Sequence, residues 1–278
     1  MACPICDDTG WKPVEQNGVR RVERCDCWRE ALTVTRLADA RIPPRYRRCD
    51  LDGFCTNTDS LIAAVRKARK FAETFPVVDK GLFFLGKPGL GKTHLSVAIL
   101  REVVRRTNAR ALFYDVRELL KDIRNTYNPV VRSTELQVIQ PVMEAELLVL
   151  DDLGAEKTSE WVEETLNLIV NTRYNEKRIT IFTSNYGVLD DLKDPDNLVV
   201  RVGYRMWSRL QEMCEFIELR SFDYREVGPD PTRERMAELD SKGSVSHKLP
   251  PTRAKNMAKA QLKPAARELG WTGGKAGS

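Results

Sequence analysis

The stretch from Gly81 to His94, read Gly-Leu-Phe-Phe-Leu-Gly-Lys-Pro-Gly-Leu-Gly-Lys-Thr-His, narrows the possible folds of this chain more than any other part of it. Leu82 to Leu85 form a short apolar run that suits a buried strand, and Leu95, Ala98, Ile99 and Val103 fall on one helical face. Between them, Gly86, four residues and then Gly91-Lys92-Thr93 fit the spacing of a phosphate-binding loop. Gly86, Gly89 and Gly91 let the backbone turn tightly with its N–H groups inward; Pro88, Leu90 and His94 complete the loop, and the helix N-terminus adds partial positive charge for an anion. Lys92 is placed to reach the β- and γ-phosphates of a nucleotide, and the Thr93 hydroxyl to bind Mg²⁺.

The alternation of strand and helix continues downstream. Ala111 to Asp115, Leu147 to Leu150, Thr180 to Thr183 and Phe216 to Leu219 read as strands. Helical spacing predicts helices over 59–75, over the apolar stripe Val116, Leu119, Leu120, Ile123 and Tyr127, and over 135–144, 159–176 and 199–213. Strands alternating with helices imply an α/β fold, a five-stranded parallel sheet sandwiched by helices with its site at the carboxyl ends of the strands. Upstream, 29–39 reads as a short connecting helix. Ile42-Pro43-Pro44-Arg45-Tyr46 reads as extended chain and a domain boundary, because each proline restricts the residue before it.

The apolar strand ending in Asp151-Asp152 supplies the second half of the nucleotide site. Asp151 is expected to hold Mg²⁺ through water, and Asp152 to orient or deprotonate an attacking water. The strand over 179–183 leads into Ser184-Asn185, which puts an amide beside the γ-phosphate if this strand neighbours the other two; a turn asparagine is the alternative.

Cys3-Pro-Ile-Cys6 and Cys25-Asp-Cys27, eighteen residues apart, offer four thiolates. Thr9-Gly10 supplies a turn after the first pair, whereas the second is Cys-x-Cys where zinc ribbons have two intervening residues. A structural Zn²⁺ on Cys3, Cys6, Cys25 and Cys27 is the reading these residues favour; an iron–sulfur cluster or no metal are the alternatives. With seven cysteines crowded this way the chain suits a reducing compartment. No apolar run approaches a membrane span and Met1 to Cys6 does not resemble a signal peptide, so the expected compartment is the cytoplasm, with no membrane partner.

Charge is unevenly spread. From Pro251 to Ser278, six basic residues face Glu268 alone, an excess that equals the +5 of the whole chain and leaves the rest close to neutral. Residues 226–278 hold few large apolar residues and no sustained period, so they read as a mostly disordered basic tail, with Leu262, Leu269 and Trp271 as candidate docking residues. Three parts are expected: a cysteine-rich region 1–41, a nucleotide-binding domain 42–225 and the tail 226–278.

Gly86 to Thr93, Leu147 to Gly154 with its double Asp, Thr183-Ser184-Asn185 and Ser208-Arg209-Leu210 together resemble the AAA+ ATPases of the DnaC/DnaI helicase-loader group, with IstB transposition ATPases as close relatives. The similarity covers about residues 42–225, and the cysteine cluster looks like the zinc-binding region of some loaders. The resemblance implies ATP and Mg²⁺ as cofactors, Lys92 and Thr93 as Walker A, Asp151 and Asp152 as Walker B, Asn185 as sensor 1 and Arg209 as the arginine finger, with Arg205 as the fallback. It further implies a replicative hexameric helicase and single-stranded DNA as partners, with self-association through a composite ATP site. Two departures matter: most AAA+ proteins have Glu where Asp152 stands, and no helical lid follows Arg225. Loaders commonly share both, and the shorter carboxylate implies slow hydrolysis.

The function these features imply is ATP-dependent loading of the replicative helicase. A transposition helper ATPase and an ATP-dependent protein adaptor that never touches DNA are its rivals. Arg117, Lys121 and Arg124 share a helical face that lines a channel for single-stranded DNA in the resembled initiators, yet Glu118 and Asp122 interrupt it, and a solvated mixed-charge face suits the residues better.

Overall fold

The structure, a computed structural model, describes residues 3–16, 18–128, 134–156, 159–191 and 193–226. The tail expected over 226–278, with Leu262, Leu269 and Trp271, therefore lies outside the described residues except for Glu226.

The cysteine-rich start folds as a hairpin of β1 (Trp11–Gln16) and β2 (Val19–Arg24), followed by α1 (Asp26–Asp39). The hairpin has no counterpart in the sequence reading, because Val19 to Arg24 is exposed along its whole length and carries no alternating apolar face. Arg24 links the two elements by lying over the rings of Trp11 and Trp28, at 3.9 and 4.4 Å from their centroids. The expected extended stretch at Ile42 to Tyr46 is corrected in part. Pro43 is extended (φ −57°, ψ 144°), but Pro44 opens a 3-10 turn over Pro44–Tyr46, since a proline restrains its predecessor while fitting the first helical position itself.

After α2 (Asp59–Thr74), capped by Thr58, the core elements follow as β3 (Gly81–Leu85), α3 (Lys92–Thr107), β4 (Ala111–Asp115), α4 (Val116–Asn125), α5 (Glu135–Glu144) and β5 (Leu147–Asp151). Next come α6 (Glu160–Asn175), β6 (Ile179–Ser184), α7 (Leu198–Val202), α8 (Tyr204–Met213) and β7 (Cys214–Glu218). The single helix expected over 199–213 is broken in two, because Gly203 adopts φ 79°, ψ 150° and ends the first segment. The last strand begins at Cys214 rather than Phe216, directly where α8 stops.

The five strands are parallel in the order β4-β5-β6-β3-β7. Residues of one strand alternate between two cores. Leu82 and Phe84 join Leu61, Phe71, Leu95 and Ile99 on the α2/α3 face, while Phe83 and Leu85 join Leu119, Ile123, Leu166 and Leu210 on the other. Phe83 is fully buried against Phe182 and Phe216, so truncating it to Ala would cost about 3–5 kcal/mol.

A buried guanidinium ties the second face together. Arg173 of α6, 1% exposed, donates to the carbonyls of Val142, Met143 and Ala145 at the end of α5, to Ile179 O and to Thr180 Oγ1, all at 2.7–3.0 Å. Those carbonyls include helix-terminal acceptors with no intrahelical donor, so one side chain satisfies them and carries its charge into their negative partial field. The amino-terminal region is joined to the sheet as well. Arg29 donates to Arg106 O at 2.8 Å, Thr33 bonds Asn108 at 2.6 Å, and the Phe113 N–H of the edge strand β4 donates to Ala40 O at 2.8 Å.

Candidate functional site

The sheet order explains how residues far apart in sequence meet. β6 lies between β5 and β3, so the carboxyl ends of all three strands are adjacent, with Phe84 opposite Thr183 and Leu85 opposite Ser184. A cavity of about 390 Å³ opens there, lined by Gly89, Lys92, Thr93, Asp151, Asp152 and Asn185 among others. Gly89 and Gly91 hold left-handed φ angles of 82° and 85°, and a Cβ on Gly91 would stand 2.7 Å from the Phe54 ring. Only glycine fits both the conformation and the close approach.

Lys92 is 6% exposed and folds back over the loop, its Nζ donating to Gly86 O at 2.6 Å and Lys87 O at 2.7 Å. Burial pulls its ammonium down to about 8, with Asp152 and Asp151 opposing the shift. Thr93 Oγ1 sits 3.0 Å from both oxygens of Asp151, and Thr183 donates to the same carboxylate at 2.7 Å. Burial raises the Asp151 carboxyl to about 6 against the pull of those two hydroxyls. A hard cation suits this oxygen set: Thr93 and Asp151 are the residues that would hold Mg²⁺, directly or through water.

Asp152 has a left-handed backbone (φ 60°), uncommon for a side-chain-bearing residue. Its N–H donates to Thr183 Oγ1 at 2.9 Å and its Oδ1 accepts from Asn185 Nδ2 at 2.5 Å. Burial raises its carboxyl too, with the Arg117 charge acting in the opposite sense. Asn185 therefore joins Asp152 at the strand ends; it is not a solitary turn residue. His94 lines the cavity from beside the loop, its ring edge-on to Phe54 and 3.2 Å from Asp50 O.

Arg209 does not line this cavity. Its Nε donates to Asn171 Oδ1 at 2.9 Å and its Nη1 to Arg205 O at 2.9 Å, in a groove between α6 and α8 that Glu160, Glu163, Leu168, Tyr204 and Arg205 also line. The basic face of α4 is largely engaged within the chain. Arg117 turns toward Asp152 and Glu156, Arg124 lies over the Trp161 ring at 4.5 Å, and Lys121 is exposed.

Sequence reasoning missed a strap after β7. Leu219 N–H donates to Leu85 O, Tyr224 N–H donates to Gly89 O at 3.1 Å, and Asp223 is packed so closely on Gly89 that a Cβ there would overlap it. Arg225, paired with Asp223 at 3.8 Å, lines the cavity with Phe222 and Tyr224. Only the adjacency of β3 and β7 puts this segment over the loop, and no local pattern in the sequence encodes that adjacency.

The four amino-terminal thiols also converge. The sulfurs of Cys3, Cys6, Cys25 and Cys27 all lie within 4.8 Å of one another, with Cys3 to Cys25 at 3.8 Å and Cys6 to Cys27 at 3.3 Å. Tetrahedral zinc with Zn–S near 2.3 Å requires sulfurs about 3.8 Å apart, so the residues fit that ion. The short second spacing has a local explanation: Cys25 is the N-cap of α1 and Cys27 lies in its first turn, so a helix start replaces the second knuckle. Backbone N–H groups of Ile5 and Cys6 draw the Cys3 thiol down to about 7, whereas the Cys6 thiol and burial push Cys27 up. A bound cation would stabilise all four as thiolates.

Among known proteins, the family model described as IstB-like ATP binding protein matches residues 53–225. The replicative helicase loader DnaC of Escherichia coli K12 is 28% identical over 169 residues, covering 60% of this chain and 68% of that protein. The crystal structure of the DnaC helicase loader superimposes with a TM-score of 0.56 at 32% identity, covering 64% of this chain and 100% of the other. That of DnaI gives 0.53 at 28% identity, covering 64% and 95%.

Proposed function

The chain belongs to the IstB-like family of ATP-binding proteins, among the AAA+ ATPases that include DnaC, and on that premise we propose that it is an ATP-dependent loader of a replicative hexameric helicase. The observation that carries this reading is the convergence of Lys92, Thr93, Asp151, Asp152 and Asn185 at the ends of adjacent strands. Lys92 exchanges the carbonyls of Gly86 and Lys87 for the β- and γ-phosphate oxygens of ATP. Thr93 and Asp151 hold the metal, which neutralises charge developing on the transferred phosphoryl group. Asp152 and Asn185 orient the attacking water, and the shorter arm of Asp makes turnover slow.

Arg209 lies outside the chain's own cavity, so in this reading it serves the nucleotide of a neighbouring copy, with Arg205 the alternative one turn away. ATP binding would thus gather subunits, and the assembled state would engage the helicase and single-stranded DNA. The cysteine cluster, as a structural zinc site, presents the region 1–41 to the helicase; 42–225 is the ATPase domain and 226–278 a basic tail. No helix among the described residues is long and apolar enough to cross a membrane, and loading belongs in the cytoplasm.

The test is capture from native lysate on the immobilised protein, with and without ATP. Recovery of the hexameric helicase, dependent on ATP and lost in Lys92→Ala, supports loading. Recovery of a transposase, or of neither helicase nor nucleic acid, overturns it in favour of a transposition helper or a DNA-free adaptor.

A further inference from the structure

Arg117 stands in the first turn of α4, where Asp115 caps the helix by accepting from its backbone N–H at 2.8 Å. Its side chain leaves the helix face shared with Lys121 and reaches across to the end of β5. Nη2 is 4.0 Å from Asp152 Oδ2 and donates to Ala155 O at 3.2 Å, while Nε is 3.9 Å from Glu156 Oε1. The other oxygen of Asp152 is held by Asn185 at 2.5 Å. Each carboxylate oxygen of Asp152 is thus engaged by a different side chain, on a residue whose backbone is already fixed in the left-handed region.

We infer that Arg117 is a positioning residue that restrains Asp152 through a shared ion pair, and that Glu156 sets the strength of that restraint by competing for the same guanidinium. The inference rests on the role given above to Asp152. A carboxylate held at both oxygens is less free to turn toward an attacking water, so loosening the pair speeds hydrolysis and tightening it slows hydrolysis. Arg117 is 55% exposed and its contacts are long, so the pair is weak and solvent-screened. That places the effect on turnover at about two- to fivefold.

The experiment measures kcat and KM for ATP in the full chain carrying Arg117→Ala, Arg117→Lys, Glu156→Gln or Asp152→Asn. Arg117→Ala should raise kcat with KM unchanged, Arg117→Lys should stay near the unsubstituted protein because it keeps the charge, and Glu156→Gln should lower kcat. Opposite signs for Arg117→Ala and Glu156→Gln are an outcome that a general loss of structure does not produce, and Glu156→Gln alone carries the test if Arg117→Ala does not fold. Changes of equal sign, no change in kcat, a compensating change in KM, or equal behaviour of the Ala and Lys variants would each overturn the restraint. If Asp152→Asn abolishes turnover while the other variants are silent, only this inference fails; if Asp152→Asn hydrolyses ATP normally, the reading of the site fails and the inference with it.

Discussion

The Thr93 hydroxyl lies 3.0 Å from both oxygens of Asp151, although the two residues are separated by two helices and a strand in the chain. With Thr183 on the same carboxylate, this forms a compact oxygen site at the mouth of the phosphate loop. Asp151→Asn should therefore remove the Mg²⁺-dependent part of ATP affinity while leaving binding in EDTA intact. Titration of a fluorescent ATP analogue with and without Mg²⁺ reads this directly. An unchanged Mg²⁺ response in the variant would place the cation elsewhere.

Lys92 supplies a pH dependence with two opposite signs. Burial depresses its ammonium from 10.5 to about 8 in the nucleotide-free fold. Between those values the unfolded chain binds the extra proton, so the stability of the empty protein should rise with pH across that window. ATP binding needs the charged form, so ATP affinity should fall as pH climbs through 8, by at most about tenfold per unit. Lys92→Arg should flatten both trends. Parallel denaturation and ATP titrations from pH 7 to 10 check the pair of slopes; a common sign for the two contradicts the assignment.

The loop and the strand ends at Asp151 and Asn185 were legible because each is a local pattern: glycine spacing, an apolar run, then polar residues where the run stops. The order of β4, β5, β6, β3 and β7 was not, since strand pairing is set by which faces bury against α2, α3, α4 and α6 rather than by neighbours in sequence. That is why the strap at Asp223 to Arg225 and the ring of Phe54 against Gly91 went unseen. The same holds for Arg117: periodicity put it on an exposed basic face with Lys121 and Arg124, whereas tertiary packing gave it Asp152 and Glu156 as nearer partners. The β1–β2 hairpin was illegible for another reason. The Arg24 contacts with Trp11 and Trp28 and the converging thiols hold it, and neither leaves a periodic signature.

The thiol cluster leads to a prediction about metal removal. Protein purified without chelator should carry one zinc per chain by elemental analysis, and chelation should melt the hairpin around Trp11 and Trp28, with a change in tryptophan emission. The sheet should keep its melting transition, because the contacts of Arg29, Thr33 and Ala40 with it lie beyond the metal ligands. Absence of stoichiometric zinc, or collapse of the whole fold on chelation, contradicts this picture.

The central claim is that the nucleotide site is completed by an arginine from a neighbouring copy, and mixing two inactive variants tests it most directly. Lys92→Ala lacks the phosphate contact and Arg209→Ala lacks the finger, whose contribution to turnover in related chemistry is about 10³-fold or more. Each should be nearly inactive alone, with Arg209→Ala still binding ATP. Mixed, they can form a site with an intact loop from one chain and an intact arginine from the other. ATP turnover measured across the mixing series, with Arg205→Ala in parallel, should pass through a maximum above either pure variant. A flat, inactive series for both arginines, together with wild-type turnover per chain that does not change with concentration, would contradict the account.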